Sequence, residues 1–360
     1  MTLPATTPSA PPLLSEASPA SHGLAGARRE SRRAAWLGLA LAVLAAALAV
    51  VGLGVGSTGI DSVWHLLADP VSDPVAAQIV WDIRAPRTLG ALCAGALLGL
   101  AGAVAQGLFR NPLADPFLLG SASGATLGVS LALAVLGVSP MASSVVVRLG
   151  LTGAAFVGAV AAVLLTLALA RGVQHTLRLL LAGVVVGVVL GALSSLVTLF
   201  TPDILQAMQA FMLGSTGFVG WASVAIMGSV WLLCGLLAVA LSRVLDGLSL
   251  GEATAHSLGL PLAPLRAALV AVLALATGTA VAQTGLIAFV GLAAPHLVRS
   301  VVHTTHARLV LLSSGMGGVL LMLADTLARG LVAPTELPVG VLTAVLGGGY
   351  LLWLMRRRVG

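Results

Sequence analysis

The sequence contains few charged residues and no lysine. Only 8% of its 360 residues are charged and 58% are hydrophobic, whereas soluble globular proteins carry about 25% charged residues. Because so few charges cannot cover a water-facing surface, the composition excludes a soluble globular protein. It predicts a polytopic membrane protein. All 18 basic residues are arginine. A phosphate-binding loop of the Walker type needs a lysine, so any ATP that drives this chain must be hydrolysed by a separate subunit.

Cysteine is also scarce, with two residues in the whole chain. Cys93 and Cys234 lie inside apolar runs, where a free cysteine usually serves as a small buried side chain. No disulfide framework or metal motif is present, and the spacing places no second ligand beside His296. We therefore expect no metal and no cofactor in this chain.

Charges are almost absent from the centres of the apolar runs. A carrier coupled to protons or sodium is expected to bury Asp, Glu or Lys at mid-membrane. This absence disfavours an ion-coupled secondary transporter, which remains the main alternative class. A structural or sensory membrane protein is the second alternative.

The sequence does contain a series of apolar runs that are long enough to cross a membrane as helices. Residues 1–33, rich in Pro, Ser and Ala, predict a disordered tail that ends in an arginine cluster. An all-α transmembrane domain of about ten helices follows over residues 34–356. Because it is short and contains Pro295, the eighth crossing is predicted to be broken or partly re-entrant. The ten predicted crossings are 34–55, 88–108, 117–138, 145–170, 177–200, 219–241, 265–282, 286–302, 307–328 and 338–355.

The arginines orient these crossings. Ten crossings put both chain ends on one side of the membrane, and that side collects every arginine except four. Cytoplasmic segments are enriched in basic residues, so both termini are predicted to be cytoplasmic. The four arginines on the outer side are Arg84, Arg87, Arg148 and Arg329.

The outer arginines have two interpretations. Long charged side chains at helix ends often extend toward the interface without any partner. Alternatively, Arg84, Arg87 and Arg329 form a cationic rim that binds acidic side chains of an external protein. Asp325 precedes Arg329 by four residues, a spacing that predicts an ion pair on one helix face.

The loop of residues 242–264 contains a candidate helix for contact with a cytoplasmic partner. Glu252 to Leu258 can form two short helical turns, which Gly259 and Pro261 would end. Such a helix has the shape needed to enter a cleft of another protein. A plain amphipathic connector is the alternative.

Several motifs, in order along residues 34–355, resemble those of the FecCD family, the permease subunits of type II ATP-binding-cassette (ABC) importers for iron-siderophore, haem and cobalamin uptake. The motifs are Arg84-x-Pro86-Arg87, RNPLADP at 110–116, Gly251-Glu252 with Ala255 and Leu258-Gly259, GLIAFVGL at 285–292, Pro295-His296 with Arg299, Asp325 with Arg329, and ELPVG at 336–340.

The resemblance implies a complex in a bacterial plasma membrane. Two permeases, identical or paralogous, would form a dimer above two cytoplasmic ATPase subunits that bind ATP and Mg, and an extracytoplasmic solute-binding protein would dock outside. The expected cargo is a ferric siderophore, with cobalamin or haem as alternatives. The family implies three groups of site residues. They are Arg84, Arg87 and Arg329 for docking, Gly251, Glu252, Ala255, Leu258 and Gly259 for an ATPase coupling helix, and Gln174, His175 and Thr176 for a gate.

Overall fold

The computed structural model describes residues 19–55, 74–136, 145–170, 176–257, 259, 261–332 and 334–359. These residues form helices joined by short turns, and none of them lies in a β-strand. A π-helical segment, Ile79–Arg84, joins the second and third helices. The α-helices are α1 (Pro19–Gly54), α2 (Pro74–Gln78), α3 (Ala85–Phe109), α4 (Ser121–Leu136), α5 (Val145–Leu169), α6 (Thr176–Phe200), α7 (Leu205–Leu213), α8 (Trp221–Ala240), α9 (Ser242–Ser249), α10 (Glu252–Ser257), α11 (Leu262–Thr284), α12 (Val290–Val301), α13 (His306–Gly330) and α14 (Val339–Val359).

The all-α, polytopic architecture predicted from the sequence is confirmed. Each of the ten predicted crossings coincides with one helix, and seven helical segments of the described chain are long and apolar enough to span a membrane by themselves. Helix α4 and the first part of α14 are shorter apolar helices. The first helix begins at Pro19, inside the segment predicted as a tail, and residues 1–18 lie outside the described residues.

Helix α3 forms the centre of the molecule because its surface is made largely of glycine and alanine. It packs most extensively against α13 and also contacts α1, α8, α9, α11 and α12. A Cβ on Gly95 would lie 2.2 Å from the carbonyl oxygen of Gly317, and one on Gly99 would lie 2.1 Å from that of Ser313. Backbones that approach so closely gain the van der Waals contact that holds membrane helices together without a hydrophobic driving force.

A second group of helices, α4, α5 and α6, packs beside this centre. Here, too, glycine allows a close crossing, since a Cβ on Gly124 would lie 2.3 Å from the carbonyl oxygen of Gly158. Helix α11 contacts both α3 and α5, so it joins the two groups into one body.

The eighth predicted crossing is not broken at Pro295, which lies inside the short but continuous helix α12. The chain is non-helical only before this helix, from Gly285 to Phe289, and both of these residues have positive φ. Proline has no N–H for the carbonyl group four residues earlier. That carbonyl belongs to Gly291, and its oxygen lies 1.7 Å from the position that a Cβ on Gly102 would occupy. The proline therefore frees a carbonyl group at the closest contact with α3.

The bundle has two ends, which we name by a residue at each. The Arg84 end carries the last turn of α1, the start of α3 and the last turn of α13, and the Glu252 end carries the opposite termini of these helices together with α9 and α10. Glu30, early in α1, accepts a hydrogen bond from the backbone of His303 at the Glu252 end. Helix α14 begins near Arg87, at the Arg84 end. The start of α1 and the end of α14 therefore lie at the Glu252 end, as an even number of crossings requires.

The close contact at Gly102 gives a first prediction. Gly102→Ala should lower the stability of the protein by about 1–3 kcal/mol, because a methyl group would overlap a backbone oxygen that cannot rotate away. Gly150→Ala is the control, since nothing lies within 4 Å of the methyl group that it adds. Thermal unfolding of the purified protein in detergent measures both. An equal or higher midpoint for Gly102→Ala would contradict the packing described here.

Candidate functional site

A buried carboxylate organises the charged cluster at the Arg84 end. Asp325, in the last two turns of α13, is fully buried. Its Oδ1 accepts hydrogen bonds from Arg87 Nε at 3.1 Å and from the Thr216 hydroxyl group. Its Oδ2 lies 2.9 Å from Arg329 Nη2, in a close ion pair that is not aligned as a hydrogen bond. The carboxylate thereby neutralises arginines from two helices, α3 and α13.

Arg329 and a third arginine, Arg84, cap the end of α1. The last four carbonyl groups of a helix lack partners within it, and that end of the helix carries partial negative charge. Arg84 Nη1 lies 3.0 and 3.1 Å from two carbonyl oxygens in residues 52–55, and Arg329 Nη1 lies 2.9 and 3.3 Å from two others. The guanidinium groups therefore satisfy the end of α1 inside the protein and fix it against α3 and α13.

A second carboxylate of the cluster comes from a connection between two helices. Glu336 lies in the connection between α13 and α14, and its Oε2 is 2.7 Å from Arg87 Nη1. The neighbouring Leu337 N–H donates to the carbonyl oxygen of Ala328 at 3.0 Å, which ties this connection to the end of α13. Arg87 therefore lies between a buried carboxylate and a partly exposed one.

The three arginines predicted to form an external rim do meet at one end of the bundle, and the predicted Asp325–Arg329 pair is confirmed. Their side chains are not displayed on the surface, however. Arg84, Arg87 and Arg329 are only 5%, 7% and 2% exposed, because internal carboxylates and the end of α1 occupy them. The docking role assigned to them stays a prediction. Arg148, the fourth outer arginine, has no described side chain.

At the Glu252 end, the predicted coupling segment forms the short helix α10. Gly251 precedes it with φ 107° and Gly259 follows it with φ 75°, conformations that suit glycine. Ala255 is buried, so the helix rests on the bundle. Leu258 lies outside the described residues.

Glu252 attaches this helix to two long helices. Its Oε1 lies 2.7 Å from Nη2 of the buried Arg266 in α11, and 3.5 Å from Arg110 Nη2 at the end of α3. Arg110 has φ 50°, a left-handed conformation that ends α3, and the N–H of Asn111 then bonds to the carbonyl oxygen of Gln106. The first residue of α10 is therefore ion-paired with two helices that cross the bundle.

Sequence reasoning missed the partners in both clusters. Arg110 served only as an orientation signal and as part of a family motif, Arg266 served only as an orientation signal, and nothing identified Thr216 or Glu336 as partners of buried charge. A third polar contact also went unnoticed: Gln106 bridges the Leu292 carbonyl oxygen and the Arg299 guanidinium group. Only the i,i+4 spacing of Asp325 and Arg329 was readable locally.

The predicted gate is largely outside the described chain. Gln174 and His175 are not among the described residues, and Thr176 begins α6 without a described side chain. Within the described residues, no group of three His, Cys, Asp or Glu side chains could hold a metal ion. Both cysteines are buried and unpaired.

Comparisons with known proteins agree with this architecture. A sequence model of the FecCD transport family matches residues 36–357. The hemin transport system permease protein HmuU of Yersinia pestis is 38% identical over 327 residues, which cover 89% of this chain and 96% of that protein. The vitamin B12 import system permease protein BtuC of Escherichia coli O6:K15:H31 is 39% identical over 336 residues, 91% and 97% of the two chains. A solved structure of a metal-chelate type ABC transporter in an inward-facing conformation superimposes with a TM-score of 0.78 at 31% identity, over 89% of this chain and 98% of that one.

The fold and the family match define a membrane-spanning permease subunit of a metal-chelate type ABC importer. The chain belongs to the FecCD transport family. In such importers ATP hydrolysis lies in a separate subunit, and the relatives imply ATPase and binding-protein partners.

The buried charges at Asp325 give a second prediction. Asp325→Asn should lower the free energy of unfolding by about 3 kcal/mol, because it leaves two buried arginines short of a compensating charge. Glu30→Gln removes a more exposed ion pair with Arg33 and should cost less than about 1 kcal/mol. Thermal unfolding in detergent compares the two variants. Similar losses in both would show that Asp325 is not the organising charge.

Proposed function

We propose that the Glu252 end of this permease faces the cytoplasm and receives an ATPase subunit, and that the Arg84 end faces outward and receives a solute-binding protein. The arginine distribution supports this orientation, because all but four of the 18 arginines are assigned to the side on which α1 starts and α14 ends. The observation that carries the proposal is the ion-paired attachment of α10 by Glu252 to α3 and α11. A short surface helix held in this way can pass the movement of a partner to helices that cross the membrane.

A second permease subunit, identical or paralogous, completes the proposed pathway. Helix α6 supports this arrangement because it is apolar along its length and only a small part of it is buried within the chain. Leu181, Val185 and Val188 are examples of its exposed side chains. Lipid or a neighbouring permease can cover such a surface at no cost in polar desolvation.

For the cargo we propose a large metal chelate. The sequence resemblance named a ferric siderophore first, and the names of the two relatives support haem and cobalamin as further candidates. Such molecules cannot cross about 30 Å of hydrocarbon unaided. Thermal-shift measurements of the cognate binding protein with a ferric siderophore, haem and cobalamin would identify the cargo.

The coupling role predicts the effect of a charge reversal. Glu252→Arg would place three guanidinium groups together and repel α10 from Arg110 and Arg266, so uptake per ATP hydrolysed should fall about tenfold or more. Uptake and hydrolysis are measured together in proteoliposomes that contain the complete importer. Glu30→Arg, a charge reversal at the same end, is the control and should keep the wild-type ratio. A wild-type ratio in Glu252→Arg would refute the coupling assignment.

The docking role predicts the effect of removing the charge of Arg87. Reversing the charge would put a third carboxylate beside Asp325 and Glu336, so Arg87→Gln is the cleaner test. Binding of the cognate binding protein to the reconstituted importer should weaken about tenfold at low salt, and less at high salt, where charges are screened. Equal affinity for wild type and Arg87→Gln, in importers that assemble equally with the ATPase, would refute docking at this arginine.

A further inference from the structure

Glu336 occupies the side of Arg87 that faces away from the buried core. The guanidinium group of Arg87 uses Nε for Asp325 and Nη1 for Glu336, at 3.1 and 2.7 Å. The Arg87 side chain is 9% exposed, whereas that of Glu336 is 40% exposed. An acidic group that arrives from outside would therefore compete with the more exposed Glu336 for Nη1 of Arg87.

The net positive charge of the cluster favours binding of an external anionic group. Among the described side chains, the guanidinium groups of Arg84, Arg87 and Arg329 face the carboxylates of Asp325 and Glu336, and Arg329 lies within electrostatic range of the other four. Three positive charges against two negative ones leave a surplus. Withdrawal of Glu336 would raise the surplus of positive charge by one, and an external carboxylate in its place would bring the surplus back to its former value. The exchange thus replaces one charge-assisted hydrogen bond with another of the same kind.

The position of Glu336 in the chain connects this exchange to a long helix. It lies three residues before Val339, the first residue of α14. The start of α14 itself is closely packed, since a Cβ on Gly340 would lie 2.3 Å from the carbonyl oxygen of Leu213. The connection before it is held by the Leu337–Ala328 hydrogen bond described above and by the Glu336–Arg87 pair. The pair therefore restrains this connection rather than the helix itself.

We propose that Glu336 is an internal stand-in for the docking partner, holding Arg87 in the undocked permease and giving way to an acidic side chain of the binding protein, which releases the connection between α13 and α14. This proposal rests on the proposed docking at the Arg84 end. It assigns Glu336 a role opposite to that of the arginines: it competes with the partner and so lowers the affinity of docking.

The test measures the affinity of the cognate binding protein for the complete reconstituted importer. Glu336→Gln should raise the affinity about fivefold, which is the scale of one partly exposed ion pair. The matched control is Asp203→Asn, which removes a negative charge from an exposed residue at the same end that makes none of the Arg87 contacts described here. The control should change the affinity less than twofold. An affinity in Glu336→Gln that is equal to the control, or lower than wild type, would overturn the proposal.

Arg87→Gln in the same assay distinguishes failure of docking at Arg87 from failure of the exchange with Glu336. If Arg87→Gln binds as well as wild type, docking at Arg87 fails and the exchange fails with it. If Arg87→Gln binds weakly while Glu336→Gln gains nothing, docking stands and only the exchange is overturned. Should Glu336→Gln fail to assemble with the ATPase, Glu336→Asp, whose shorter side chain retracts the carboxylate, should shift the affinity in the same direction.

A second readout needs no binding protein. The two native cysteines, Cys93 and Cys234, are buried, so Thr335→Cys, at an exposed position beside Glu336, offers a selective site for a nitroxide label. In the undocked importer the label should be more mobile when Glu336→Gln is also present, because the restraint on this segment is gone. Identical spectra with and without Glu336→Gln would contradict the proposed restraint.

Discussion

The fold depends on backbone-to-backbone contact along helix α3. Within a membrane, apolar surface gains little by leaving lipid, so helices associate through close packing. Here the carbonyl oxygens of Ser313, Gly317 and Gly291 lie where side chains would stand on Gly99, Gly95 and Gly102. Each glycine removes a Cβ and lets a neighbouring helix approach. Close approach of this kind explains how a helix with mostly small side chains contacts six other helices.

Helix α3 also connects the two charged clusters. Its 25 residues span about 38 Å at 1.5 Å per residue, enough to cross the hydrocarbon core. Arg87 stands at one end, bound to Asp325 and Glu336, and Arg110 stands just past the other, near Glu252. A centrally packed helix with a charged cluster at each end suits the proposed roles of the two ends, docking of a binding protein at one and of an ATPase at the other.

The charged cluster at the Arg84 end illustrates how a membrane protein can keep arginines buried. Carboxylates and helix-terminal carbonyl groups satisfy the guanidinium groups, so the desolvation cost is offset inside the chain. The same pairing has a functional consequence, since an arginine that is already satisfied is available to an external acid only by exchange. Under the proposed docking, the affinity for the partner would depend on the internal competitor as well as on the arginine itself.

Composition and hydropathy alone determined the membrane class, the ten crossings and the lack of a Walker-type ATP site in this chain, because these depend on local runs of apolar residues and on the absence of lysine. The short helix after Gly251 and the Asp325–Arg329 pair were also readable, since both involve neighbours in sequence. Only the tertiary structure decided that Arg87 pairs with Asp325 and Glu336, more than 200 residues away, and that the three arginines predicted on an open rim are buried. Partners so distant along the chain leave no local signal, because helix packing rather than spacing brings them together.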